Sequence, residues 1–99
     1  NLITMKEQVT TLELGKCYRV YHNNDVLHLI RVNEEHTSLI PNRPPVYMVA
    51  EIWGDDTINT NTYHSIREGS TYTEITQEQF KAVLNSMIYR VSNYISTMN

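Results

Sequence analysis

At 99 residues, with 40% apolar and 19% charged side chains, the chain has the size and composition of one small globular domain. Its formal net charge of -3 is spread unevenly: residues 1–45 carry five Lys/Arg against five Asp/Glu, and residues 46–99 carry three against six. No basic run occurs, so the electrostatic footprint of a nucleic-acid binder is missing, while the acidic second half suits a protein partner with a basic surface.

Cys17 is the only cysteine, which excludes an intrachain disulfide and makes a reducing compartment the simpler reading. No stretch approaches the roughly 20 apolar residues of a membrane span, and no apolar leader follows a basic start. The chain opens at Asn1 rather than Met, which leaves room for processing or for a longer parent protein.

In chain order, "MKEQVTTLELG" is ambiguous and reads as a helical turn or short strand ending at Gly15. The stretch "KCYRVYHNNDVLHLIRV" is two alternating runs around Asn23-Asn24, residues that tolerate the positive φ of a tight hairpin. A two-residue turn there pairs Val20 with Leu27 and Tyr18 with Leu29 on one face, and sets His28 opposite Arg19. The connection "NEEHTSLIPNRPP" follows, in which Pro44-Pro45 bars regular structure. "VYMVAEIW" is a third strand, with Val46, Met48, Ala50 and Ile52 on one side and Tyr47, Val49, Glu51 and Trp53 on the other. "TNTYHSI" and "STYTEI" are shorter Thr/Tyr-rich strands separated at Glu68-Gly69.

The closing segment is an amphipathic helix. Thr76 and Gln79 have the capping-box spacing, and Ile75 and Phe80 have that of a hydrophobic staple. Phe80, Leu84, Met87, Val91, Tyr94 and Met98 then recur at alternating intervals of four and three, with Val83, Ile88 and Ile95 widening the stripe. These elements predict an α+β fold: an antiparallel meander of four or five strands over residues 15–75, with an SH3-like barrel as one way of curling it, and a helix over 76–97 packed on one face. Such a helix spans about 30 Å, whereas a six-residue strand covers about 20 Å. Its last two turns therefore need a cover for Val91, Tyr94, Ile95 and Met98, from the sheet, a second copy or another protein.

Little in the chain points to bond-making chemistry. His22, His28, His36 and His64 lack the paired spacing of zinc ligands, and "WGDDTINTN" lacks the alternation and distal Glu of a calcium loop. Gly15, Gly54 and Gly69 are too few and too scattered for a phosphate-cradling loop. Cys17, on a face with Arg19 and Tyr21, has no catalytic signature around it. The expectation is thus no catalytic residue, no cofactor and no metal. Trp53, at a strand end beside a turn, is a candidate binding anchor that would form a rim with the 33–45 connection, where Arg43 sits within a Pro41-x-x-Pro44 spacing. Seven tyrosines against one Phe furnish strand faces able to stack single-stranded bases, although without the Lys/Arg that such binding uses.

The "GKCYRV" start of the first strand, a Gly-Lys-x-Tyr pattern, and the "EITQEQF" opening of the helix resemble a loose group of small accessory proteins of bacteriophages and mobile elements. The resemblance implies a compact α+β binder that acts by contact rather than catalysis, on host machinery in the host cytoplasm or within a virion. The expected function is a non-catalytic protein-interaction module, an accessory or inhibitor protein, with a homodimer through the helix as one form of that contact and no membrane involvement. Its candidate interface residues are Val91, Tyr94, Ile95, Met98, Trp53 and Arg43. Single-strand nucleic-acid binding, a structural subunit of a virion or complex, and a thiol-dependent enzyme using Cys17 are the alternatives.

Overall fold

The computed structural model describes residues 11–23, 25–36, 42, 45–66 and 68–98, without the side chains of residues 25–27 and 36. Among the described residues five strands precede one helix: β1 (Cys17–His22), β2 (Asp25–His36), β3 (Val46–Trp53), β4 (Ile58–Ser65), β5 (Ser70–Ile75) and α1 (Gln77–Ser96). All pairings are antiparallel, in the order β4-β3-β2-β1-β5. The α+β class is therefore as expected, but the sheet is open. Among the described residues no ladder joins the edge strands β4 and β5, so the barrel reading is corrected to a curled sheet. Residues 66–69 link the two edges directly, and Ile66 packs against the sheet core.

The first hairpin departs from the expected register. At its tip His22 pairs with Asp25 and Tyr21 with Val26, as a two-residue turn demands, and Asn23 takes a positive φ of 51°. A bulge then inserts one extra residue of β2, so Val20 faces His28, Arg19 faces Leu29 and Tyr18 faces Ile30. A one-residue shift turns every later side chain of β2 to the opposite face. Leu29 accordingly leaves the Tyr18/Val20 face, and His28 is opposite Val20 rather than Arg19. The strand also runs on to His36, four residues past the expected end, with a second irregularity between Val32 and Glu34.

Both faces of the sheet are covered. One carries Tyr18, Val20, Ile30, Val32, Tyr47, Val49 and Tyr72. The described end of the lead-in seals this face: residues 11–13 are irregular and a turn follows at Leu14-Gly15, so the helical turn or short strand expected over this stretch is not seen in residues 11–15. Leu12 is buried there; its amide donates to the Tyr47 hydroxyl at 2.9 Å, and the Glu13 amide donates to the Tyr18 hydroxyl at 3.0 Å. Two tyrosines thus sit in a core because the lead-in backbone satisfies their oxygens. The first ten residues of that lead-in lie outside the described residues.

The other face carries Cys17, Leu29, Ala50, Ile52 and Ile75, and α1 packs on it through Phe80, Val83, Leu84 and Met87. The helix begins where the sequence places it. Thr76 Oγ1 accepts from the Gln79 amide at 3.0 Å, and the Gln79 side chain accepts from the Thr76 amide at 2.8 Å. Ile75 and Phe80 share the core cluster, as a staple requires. No helix among the described residues is long and apolar enough to cross a membrane.

Candidate functional site

Two features stand out once the fold is assembled, one on each face of the sheet. The first is the far half of α1. Met87 is its last buried residue, and every residue from Ile88 to Met98 is exposed. Four stripe positions suffice to cover the sheet, and the stripe then continues with nothing beneath it. Ile88 is 61% exposed, Val91 57%, Tyr94 67%, Ile95 60% and Met98 62%. Arg90 fastens this half to the turn after β3 through two hydrogen bonds to Asp56, 3.1 and 2.5 Å, which leaves a shallow groove lined by Met87, Val91 and Tyr94. Beyond Arg90 no residue of the helix carries a charge.

The second feature is a cavity of about 220 Å³ inside the curl, on the face opposite α1, to which every strand contributes. His28 from β2 and Trp53 from β3 pair across the ladder and stack at 4.1 Å with an interplanar angle of 16°. Glu51, two residues before Trp53 and on the same side, places its Oε2 3.6 Å from His28 Nε2. His64 from β4 lies edge-on to His28, ring centres 5.8 Å apart. Its Nε2 shares a 2.5 Å hydrogen bond with the hydroxyl of Tyr72 from β5, so the two unpaired edges meet through side chains across the opening. His22 Nδ1 lies 3.3 Å from Ser70 Oγ at the cavity's other wall.

Electrostatically the cavity is dominated by His28 and Glu51. His28 is 6% exposed and neither ring nitrogen has a hydrogen-bond partner among the described residues. Burial pushes its pKa down to about 4 despite the nearby carboxylate, so the ring is neutral at pH 7. Among the described residues no group of three or more His, Cys, Asp and Glu side chains has the arrangement to hold a metal ion.

The remaining sequence-derived candidates fall as follows. Trp53 is half-buried at the end of β3 opposite the one that the 33–45 connection enters, because Val46 pairs with His36 and Trp53 with His28. The expected rim shared by Trp53 and that connection is therefore not formed among the described residues, and residues 33–36 of it are strand. Arg43, Pro41 and Pro44 lie outside the described residues. Tyr18, Tyr47 and Tyr72 are buried, so three of the five strand tyrosines are removed from any base-stacking surface. Cys17 is 1% exposed and lies opposite Arg31. Burial raises its thiol pKa against the opposing pull of Arg31, the reverse of what a thiolate nucleophile needs. Asp55 and Asp56 build the turn after β3, where Asp55 accepts from the Thr57 amide at 3.1 Å and Asp56 has φ 67°.

The cavity has no spacing signal in the sequence, since its walls come from five strands and its short local groups, Val20/His22, Glu51/Trp53 and Tyr63–Ser65, match no ligand pattern. Alternation of β3 alone placed those two on one side.

Fold and sites together define a small α+β protein with an open curled sheet, a helix exposing half its apolar stripe, and a histidine- and tryptophan-lined cavity. Compared with protein families, curated proteins and solved structures, the chain matches none.

Proposed function

We propose that this protein acts by contact, as a protein-interaction module whose docking element is the far half of α1. One observation carries the reading: the stripe that buries Phe80 and Met87 continues through Val91, Tyr94, Ile95 and Met98 with all four more than half exposed. Monomeric proteins rarely leave contiguous large apolar side chains uncovered, and such patches mark interaction surfaces. Fully covering each of these residues contributes about 1.5–3 kcal/mol, so the stripe must be engaged as a unit to offset the cost of association. An uncharged helix end accepts either a second copy or a different apolar partner without like-charge repulsion. The phage-like pattern of the first strand and of the helix start supports an accessory or inhibitor role.

Val91→Glu and Tyr94→Glu place a carboxylate in the middle of the stripe. In light scattering at micromolar concentration, a wild-type dimer is expected to become monomeric in both. If the wild type is already a monomer, its partner from the native host is expected to be lost by both variants. A monomeric wild type whose variants keep that partner with unchanged affinity ends the proposal.

A further inference from the structure

We propose that the cavity inside the curled sheet is a binding site for an organic cation, an ammonium or guanidinium group held by the Glu51 carboxylate beside the rings of Trp53 and Tyr63. Among the described residues lining the cavity, Glu51 is the one carboxylate, and neither Lys nor Arg is present. Its side chain is only 15% exposed. His28 Nε2, 3.6 Å from it, is beyond hydrogen-bond reach and belongs to a neutral ring. Among the described residues no Lys or Arg faces this carboxylate, and a bound cation supplies the countercharge.

His28 stands beside Glu51 in the same wall. It is an unpartnered polar side chain, more than nine-tenths buried, in the wall of the same cavity. Both of its ring nitrogens are closed off from water, so the ring forms a neutral wall beside Glu51. A headgroup made only of N–H donors complements the carboxylate, whereas an anion would meet Glu51 directly. Trp53 and Tyr63 add aromatic walls, which attract a cation. The volume also selects. A space of about 220 Å³ is somewhat larger than the ~150 Å³ cavity that holds benzene, so it accommodates a headgroup with a few carbons. Two carriers share this chemistry: a free small amine, or a Lys or Arg side chain presented by a protein. The site lies on the face opposite α1 and does not depend on the helix end.

Trp53 is the only tryptophan, so intrinsic fluorescence reports on the cavity directly. Titrations with n-butylammonium, n-propylguanidinium and the tripeptide acetyl-Gly-Arg-Gly-amide, at fixed ionic strength, are compared with the neutral isostere N-acetylcitrulline amide and with acetate. A saturable response to the cations alone is expected, weakened about tenfold or more in Glu51→Gln, as loss of a charge-assisted hydrogen bond implies. The Val91→Glu variant is expected to bind like the wild type, which separates failure of this site from failure of the helix surface. Tighter binding of the tripeptide than of n-propylguanidinium identifies a protein-borne headgroup, and equal or weaker binding identifies a free cation. Should Glu51→Gln fail to fold, the wild-type His28 ring resonances are expected to shift with the same saturation. Equal responses to citrulline or acetate, unchanged affinity in a folded Glu51→Gln, or no saturable response to any cation would overturn the assignment.

Discussion

Truncation along α1 tests the division of the helix into a buried and an uncovered half. Phe80 is 3% exposed and contacts the cluster of Cys17, Ile52 and Ile75. Replacing it by Ala removes the ring and leaves a cavity between helix and sheet, at a cost of about 3–5 kcal/mol. For a domain whose total stability is about 5–15 kcal/mol, that is a large fraction, and it lowers Tm by well over ~10 °C. Val91 is 57% exposed on the same stripe. In the isolated chain Val91→Ala deletes few contacts and replaces a β-branched residue by the best helix former, so stability changes by less than ~0.5 kcal/mol, with a slight gain favoured. Urea unfolding followed by far-UV circular dichroism, at several protein concentrations, measures both. The Phe80→Ala loss is expected to be independent of concentration. If a second copy covers the stripe, Val91→Ala becomes destabilising only as concentration rises, because association adds to apparent stability by mass action. A Val91→Ala cost equal to that of Phe80→Ala at the lowest concentration would refute the division.

Three further outcomes follow from the geometry. Thr76→Ala removes one arm of the capping box and is expected to cost about 1 kcal/mol, whereas Thr76→Ser should restore nearly all of it in the same urea assay. His28 has its folded pKa lowered from 6.5 to about 4, so between those values the unfolded chain binds more protons than the folded one. Its contribution to stability is therefore complete above pH 6.5 and is lost progressively on acidification toward pH 4, by up to ~3 kcal/mol. His28→Phe, which keeps a ring beside Trp53, is expected to flatten that part of the pH profile, and an unchanged slope would count against the buried neutral ring. Cys17, buried and with a raised thiol pKa, is expected to react with iodoacetamide far more slowly than a free thiol at pH 7 and to reach the free rate in urea; rapid alkylation of the folded protein would contradict its burial.

The elements of this protein were legible because their signals are local. A cap, a staple and a period of 3.6 all lie within one segment, which is why α1 starts and stops within a residue of its expected bounds. Its overhang was legible too, since helix rise and strand length set how much stripe a small sheet covers. β5 coincides with "STYTEI" for a similar reason: its alternation is bounded by Gly69, with φ 87°, and by the Thr76 cap. β2 shows the limit. Leu27 and Leu29 occupy one parity and Ile30 and Val32 the other, so hydrophobic pattern alone does not choose which pair faces the tyrosine core. The bulge makes that choice, and it depends on packing against β1 and β3 together.

The cavity lay entirely beyond the reach of spacing. Its His22, His28, Glu51, Trp53, His64 and Ser70 are scattered over nearly fifty residues, and as a list of histidines they carry no ligand pattern. Curling brings β4 and β5 close enough for His64 to meet Tyr72, and only that closure gathers the rings and the carboxylate around one space. Composition and periodicity by themselves determined an α+β chain with a helix longer than its sheet needs, because propensity, capping and burial stripes act over a few residues. The register of β2, the open curl in place of a closed barrel, the burial of Cys17 and the neutral His28 beside Glu51 were decided by tertiary structure. Each depends on which distant side chains exclude water from the same point, and contacts between residues far apart in the chain settle that.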